Sequence, residues 1–325
     1  MTWIAMHMKT FPKSKLLCVN SIGEAARELL MPGSRGEILA AFSKAVYLKG
    51  SQGELVWLAT EDVPMHRRSV QIRGPLPKLD LHSNYIVREH TLRFDCGTEI
   101  DLEGVNIWTP ELPRVDSLPH LRELHDFLTD MTLSLGDLPS PKGFGYLLPE
   151  ISKIARGQPL PSAILSGSPA LNFAWPEIRE IFSIDSSIDH AQLLISAERL
   201  IGLGSGLTPS GDDFIGGMLF IGEILHKLYQ HHQGFRHQDL QLFLAYAREH
   251  TNLISYTVLK DHARGHGSEV LHQFVNAVLD GEPQERIHHF ALKLTEVGHS
   301  TGWDILAGVW TGMLLWVGDK AILSV

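Results

Sequence analysis

Along the first third of the chain, apolar positions recur in short alternating runs bounded by glycine-bearing turns, the period-two pattern of half-buried strands. Glu37–Lys49 and Glu54–Thr60 flank Gly50-Ser51-Gln52-Gly53, a link of hairpin type. Ser69–Arg73, Leu92–Asp95 and Glu99–Trp108 continue the series, the last two hinged at Gly97. A helix over Ile22–Leu30 precedes the strands and stops before Pro32-Gly33. These runs predict a small antiparallel sheet or half-barrel.

From Ser117 the period lengthens. Leu121, Leu124 and Leu128, with Phe127 beside them, predict a helix over Ser117–Met131. Gly136–Pro176 is rich in Pro and Gly and holds one short helical candidate, Pro149–Arg156; its Phe144, Tyr146, Leu147 and Leu148 point to packed irregular structure. Helices are then predicted over His190–Ile201, Asp212–Gln230, Asp239–Lys260, Ser268–Leu279, Gln284–Val297 and Trp303–Val317. No Pro interrupts them after the first turn. The expected class is α+β: an antiparallel β-rich domain over residues 1–112, then a mainly helical domain over 113–325.

Composition narrows the function classes. Of 325 residues, 44% are hydrophobic and 20% charged, which suits a folded soluble chain. A net charge of -9 with no basic block argues against a nucleic-acid partner. Cys18 and Cys96 make neither a C-x-x-C pair nor a disulfide framework, which fits a reducing, cytoplasmic setting. Residues 1–15 lack the continuous apolar core of a secretory signal. The most apolar runs, Phe214–Gly222 and Ile305–Gly318, fall short of the ~20 residues a spanning helix needs, so no membrane is expected.

One segment carries chemistry. Ile201–Gly217 places Gly202, Gly204, Gly206 and Gly211 among Thr208, Pro209 and Ser210, directly before an apolar helix. Glycines let backbone N–H groups converge on a ligand, and a helix start adds free donors and a positive dipole end, which suits an anion. No Lys follows, so this is not a P-loop, and a helix rather than a strand precedes it, so it is not a dinucleotide fingerprint. Asp212 and Asp213 oppose an anion unless a cation such as Mg²⁺ lies between. Helix capping explains them equally well.

Ser210-Gly211-x-Asp213-x-x-x-Gly217 has a counterpart in Thr301-Gly302-x-Asp304-x-x-x-Gly308, with hydroxyl, Gly, Asp and Gly at identical spacing. Each opens a helix rich in small residues, which permits close helix approach. The pseudo-repeat predicts two helix starts converging on one cleft; two independently capped core helices are the bland alternative. Between the motifs, Thr251 and Ser255 are expected on one helical face. Arg264 is either a carboxylate-binding fork or a surface charge. His262 and His266 have i,i+4 spacing without the Glu of H-E-x-x-H, and His231-His232 and His288-His289 are adjacent pairs; a surface placement without zinc is expected for the histidines. No G-x-S-x-G occurs, and His299 draws interest only through its place beside Ser300.

Gly204–Gly217 (GSGLTPSGDDFIGG) and Gly298–Gly308 (GHSTGWDILAG) resemble the bacterial family typified by the AllH subunit of oxamate carbamoyltransferase. Thr251–Leu259 and, more loosely, Gly36–Leu58 extend the resemblance, and Thr301-Gly302 stands where Ser-Gly is common in the family. The resemblance implies a member of a multi-subunit system in nitrogen catabolism, moving a carbamoyl group between carbamoyl phosphate and oxamate with other carbamoyltransferase subunits. On this reading Gly204, Gly206, Thr208, Ser210 and Gly211 contact a small anionic substrate, with Ser300, Thr301, Gly302, Thr251, Ser255 and Arg264 in support. Asp213, Asp304 and His299 are the catalytic candidates, and Asp212 with Asp213 the candidate Mg²⁺ ligands. Two other classes compete: a stand-alone Mg²⁺-dependent phosphoryl-transfer or hydrolytic enzyme, and a non-catalytic assembly subunit whose glycines serve only packing.

Overall fold

The computed structural model describes residues 16–113, 118–184, 190–229 and 234–317. The N-terminal segment before residue 16, the expected helix start at Ser117 and the His231-His232 pair lie outside the described residues. The chain divides into two compact units between Thr109 and Pro110.

The first unit is one ten-stranded sheet with a short helix, α1 (Glu24–Leu29). Its strands are β1 (Leu16–Leu17), β2 (Val19–Gly23), β3 (Arg35–Ala41), β4 (Ala45–Gly50), β5 (Leu55–Thr60), β6 (Ser69–Ile72), β7 (Asn84–Arg88), β8 (Thr91–Phe94), β9 (Glu99–Asp101) and β10 (Asn106–Trp108). They run in the order β1-β9-β8-β7-β3-β4-β5-β6-β2-β10. Most pairs are antiparallel, as expected, but β1–β9, β5–β6 and β10–β2 are parallel, so the sheet is mixed.

Two boundaries differ from the sequence reading. Glu37–Lys49 is not one strand but the hairpin β3–β4, closed by the Phe42 N–H donating to Ala45 O at 2.8 Å. Its turn has no Gly, Pro or Asn, so the apolar run reads straight through it. The expected strand Glu99–Trp108 breaks at Gly104 (φ +65), and β9 and β10 go to opposite parts of the sheet. Alternate positions such as Ile38, Leu48, Leu58, Val70, Leu92 and Ile100 fill the core of this unit.

The second unit is helical: α2 (Leu121–Gly136), a 3-10 helix (Gly143–Glu150), α3 (Ile151–Ala155), α4 (Ser162–Gly167), α5 (Pro169–Ser183), α6 (His190–Glu198), α7 (Ser210–Leu228), α8 (His237–His250), α9 (Leu253–His262), α10 (Glu269–Leu279), α11 (Gln284–Thr295) and α12 (Thr301–Trp316). The α+β class therefore holds. Within Gly136–Pro176, Ser168 caps α5 by accepting from the Leu171 N–H, with Pro169 in the first turn and Pro176 inside. Those prolines hid a real helix.

The predicted helix Asp239–Lys260 is two helices. Thr251 ends α8 in extended geometry, and the Asn252 side chain accepts from the N–H groups of Ile254 and Ser255 to start α9. An Asn cap inside an apolar-periodic run carries no breaker residue to announce it.

Helices α7 and α12 lie side by side and are buried almost throughout. Their glycines make that approach possible in a reciprocal manner. A Cβ on Gly217 would overlap Ile305 O of α12, and one on Gly308 would overlap Phe214 O of α7. Phe214 and Ile305 each follow the motif aspartate, so the two helices pack as equivalents. Among the described residues no helix is long and apolar enough to cross a membrane.

Candidate functional site

The start of α7 is built by the glycine loop folding back on it. Gly202, Gly204 and Gly206 have φ of +78, +120 and +110, a region L side chains rarely adopt. A Cβ on Gly211 would overlap Leu200 O, and the Gly211 N–H donates to Leu203 O at 2.9 Å. Gly302 repeats this at α12, against Leu294 O. Among the described residues no backbone carbonyl accepts from the N–H groups of Gly204, Ser205, Gly206 or Leu207. These exposed donors are what remains of the predicted anion cradle.

The two motifs meet and exchange partners. Thr208 Oγ1 donates to Asp213 Oδ2 at 2.8 Å and lies 2.9 Å from Thr301 Oγ1. With the Thr208 proton on Asp213, Thr301, first residue of the second motif, donates to Thr208 and so is linked through it to Asp213 of the first. In return Ser210, first residue of the first motif, acts on Asp304 of the second, together with Ser300. The Phe144 N–H donates to Asp304 Oδ1 at 2.6 Å, whereas Oδ2 has no partner of hydrogen-bond geometry.

Phe144 reaches Asp304 because Gly143 precedes it with φ +53; a Cβ on Gly143 would overlap Asp304 Oδ1. Ser168 Oγ donates to Gly143 O at 3.2 Å and anchors this turn. Gly143, Phe144 and Ser168 were missed at the sequence level. Only the positive-φ requirement of a Lys-Gly-Phe-Gly run hinted at them.

All three aspartates are buried: Asp212 is 2% exposed, Asp213 3% and Asp304 0%. Burial pushes the Asp304 carboxyl up to about 7, against the lowering effect of Phe144, Ser210 and Ser300. Burial raises Asp213 well above the carboxylate range, and the neighbouring Asp304 charge adds to it. Two such carboxyls on facing helices titrate as a pair and resist ionising together.

Asp212 faces elsewhere. Gly202 N–H donates to its Oδ1 at 2.6 Å, while Thr251 Oγ1 and Ser255 Oγ both donate to Oδ2, the latter at 2.5 Å. Thr251 and Ser255 thus converge as expected, but from either side of the α8–α9 break rather than from one helical face. Burial still raises the Asp212 carboxyl, opposed by these three donors. Asn252 Nδ2 donates to Leu207 O at 2.8 Å, so the joint grips both ends of the loop. With its oxygens engaged there and Asp213 turned to α12, Asp212 does not fit the predicted shared Mg²⁺ site. Among the described residues no three His, Cys, Asp or Glu side chains are grouped as a metal site.

Other candidates fall apart from the carboxyl pair. Arg264 is exposed at the far part of α7, where its carbonyl accepts from Lys227 Nζ at 2.7 Å and Gly265 abuts Glu223. That is roughly 15 Å along the helix from Asp213, at 1.5 Å per residue. His299 is exposed beside Ser300. His262 and His272 are not surface groups but are buried beside Phe220, and burial pulls them down to about 4 and about 3. His262 packs against Gly216, where a Cβ would lie 2.6 Å from its Nδ1.

Residues 200–313 match the family described as oxamate carbamoyltransferase subunit AllH. The matched span, about a third of the chain, contains both helix starts, the glycine loop and the α8–α9 joint. The resemblance carried by GSGLTPSGDDFIGG and GHSTGWDILAG is therefore shown over that span, while Gly36–Leu58 lies outside it. No solved structure matches the chain.

Proposed function

We propose that this chain is a subunit of a cytoplasmic carbamoyltransferase of the oxamate type, working with other subunits in nitrogen catabolism such as purine or allantoin breakdown. Its substrate site is the junction of α7 and α12. The observation that carries this reading is the meeting of two equivalent helix starts through the chain Asp213, Thr208 and Thr301, inside the segment that matches the AllH family.

Transfer from carbamoyl phosphate to a nitrogen acceptor needs an anion held, a proton taken from the acceptor nitrogen, and phosphate released. The free N–H groups of Gly204–Leu207 suit the anionic part of a substrate. Asp304, with a carboxyl pushed up to about 7, is ionised in part at neutral pH and is the base we assign. Asp213 and the Thr208–Thr301 hydroxyl pair orient the acceptor, with Ser210, Ser300 and the close-packed Gly211 and Gly302 shaping the floor. His299 stands exposed beside Ser300 at the edge of this site. Asp212, Thr251 and Ser255 position the loop, and Arg264 has no role in this site.

The test is carbamoyl transfer by the reconstituted complex. Asp304→Asn should lower turnover by about 10²-fold or more while the complex still assembles. Undiminished turnover in that variant would end the reading. A second reading, a non-catalytic assembly subunit, is favoured by the glycine contacts of Gly216, Gly217 and Gly308 with neighbouring helices. It predicts that Asp304→Asn changes assembly and leaves turnover per complex intact.

A further inference from the structure

Asp304 is held through one oxygen by a residue far from it in sequence. The Phe144 N–H donates to Oδ1 at 2.6 Å, and Oδ2 has no partner of hydrogen-bond geometry. The two oxygens of a carboxyl are equivalent until a donor claims one. With Oδ1 claimed, the proton of the neutral acid belongs on Oδ2, because an O–H at Oδ1 would face an N–H. The same N–H favours the ionised form, since a carboxylate accepts more strongly than the acid. It therefore decides which oxygen takes a proton and how readily that oxygen gives it up.

That N–H is only as well placed as the turn that carries it. Residues 143–145 cross the start of α12 and are fixed at three points. The Phe144 ring lies edge-on to Phe214 of α7, with centroids 5.5 Å apart. Gly145 lies on the Trp303 ring, where a Cβ would come within 2.5 Å of Cε3. Those two are packing contacts and set no hydrogen-bond direction. The third is polar: Ser168 Oγ donates to Gly143 O at 3.2 Å. Gly143 O and the Phe144 N–H are the two ends of one planar peptide unit, so a donor on the first orients the second.

We propose that Ser168 is a positioning residue for the Asp304 carboxyl, acting through the single peptide unit that joins Gly143 to Phe144. This rests on Asp304 as the base of carbamoyl transfer and deepens that reading. The chain runs from the Ser168 O–H to the Gly143 carbonyl, then from the Phe144 N–H to Asp304 Oδ1, and each bond polarises the next. Ser168 is buried, its one proton goes to Gly143, and its oxygen accepts from the Leu171 N–H at 3.3 Å to cap α5. The start of α5 is thereby tied to the carboxyl on α12.

The experiment compares Ser168→Ala, Ser168→Gly and Ser168→Thr. Both Ala and Gly lose the hydroxyl, but Gly keeps most of the cap, so it carries the test should the Ala variant fail to fold. With Asp304 as base, turnover by the reconstituted complex rises with pH as that carboxyl ionises. Without Ser168 Oγ the rise should move to higher pH by about one unit, because the carboxylate has lost an aligned donor. Turnover at pH 6 then falls about tenfold and recovers by pH 9. Ser168→Thr, which keeps both bonds, should follow wild type. An equal loss at every pH, or no loss, overturns the positioning role.

Urea unfolding of the full chain from pH 5 to pH 10 reads the same carboxyl without activity, each chain being compared with its Asp304→Asn counterpart. The stability that Asp304 contributes falls with rising pH and should level off near pH 7 in wild type. In the Ala and Gly variants it should level off about one unit higher. Levelling at the same pH refutes the positioning role whether or not the complex transfers a carbamoyl group. The shift in unfolding with no transfer at any pH refutes the enzymatic reading alone.

Discussion

Replacing Asp304 by Asn changes how the stability of the helical unit responds to pH, and the size of the change follows from its burial. The carboxyl is pushed up from 3.8 to about 7. Between those values the folded chain keeps a proton that the unfolded chain has lost. Its stabilising contribution is thus complete below pH 3.8 and is lost as pH rises through 7. At about 1.4 kcal/mol per pKa unit, the loss between pH 5 and pH 8 is about 2.5 kcal/mol. Asp213, raised partly by the Asp304 charge, acts in the same direction.

His262 and His272 act the opposite way. Held down to about 4 and about 3, they refuse protons that the unfolded chain accepts near 6.5, so stability falls as pH drops below 6.5. The difference between wild type and Asp304→Asn removes that shared contribution. Urea unfolding at pH 5, 6, 7 and 8 measures it, read by the fluorescence of Trp303, Trp310 and Trp316, all buried on α12. Wild type should lose about 2.5 kcal/mol relative to the variant across this range. Parallel stability curves would refute the assignment of a buried, raised Asp304.

Further substitutions test other parts of the site. Gly308→Ala places a Cβ on Phe214 O and should cost about 1–3 kcal/mol or more by forcing α7 and α12 apart, measured by thermal unfolding. Gly143→Ala combines overlap with Asp304 Oδ1 and a positive φ, and should lower both stability and oxamate affinity in a binding assay. Thr251→Val removes one of three donors from buried Asp212 and should cost about 1.5–3 kcal/mol in urea unfolding, with faster hydrogen exchange at Gly202. His272→Phe leaves the Gly267 N–H without its 3.1 Å acceptor, yet should shift acid unfolding to lower pH because one neutral buried imidazole is gone.

Short-range pattern was enough to read much of this protein. Alternation announced β4, β5 and β8, helical spacing announced α6, α7 and α10 to α12, and the order of strands before helices announced the α+β class. The pairing of the two motifs was also legible, because hydroxyl, Gly, Asp and Gly at equal spacing is a local feature of each helix start. Local pattern failed where a boundary is set by a distant partner. The β3–β4 turn has only Ser43 and no Gly, Pro or Asn to announce it, and the α8–α9 break is tied by Thr251 and Asn252 to Asp212 and Leu207 some forty residues away.

Only the tertiary structure decided what the aspartates do. Asp212 and Asp213 are neighbours in sequence, but successive helical residues point about 100° apart. One therefore anchors the α8–α9 joint, and the other joins Asp304 across the helix pair. The shared metal site suggested by their adjacency dissolves for that reason. The Thr208–Thr301 contact, the orphaned Asp304 Oδ2 and the turn at Gly143 that brings Phe144 to Asp304 arise from packing between segments up to 160 residues apart. Hydrogen-bond direction and burial are properties of the assembled neighbourhood, so no window of sequence contains them.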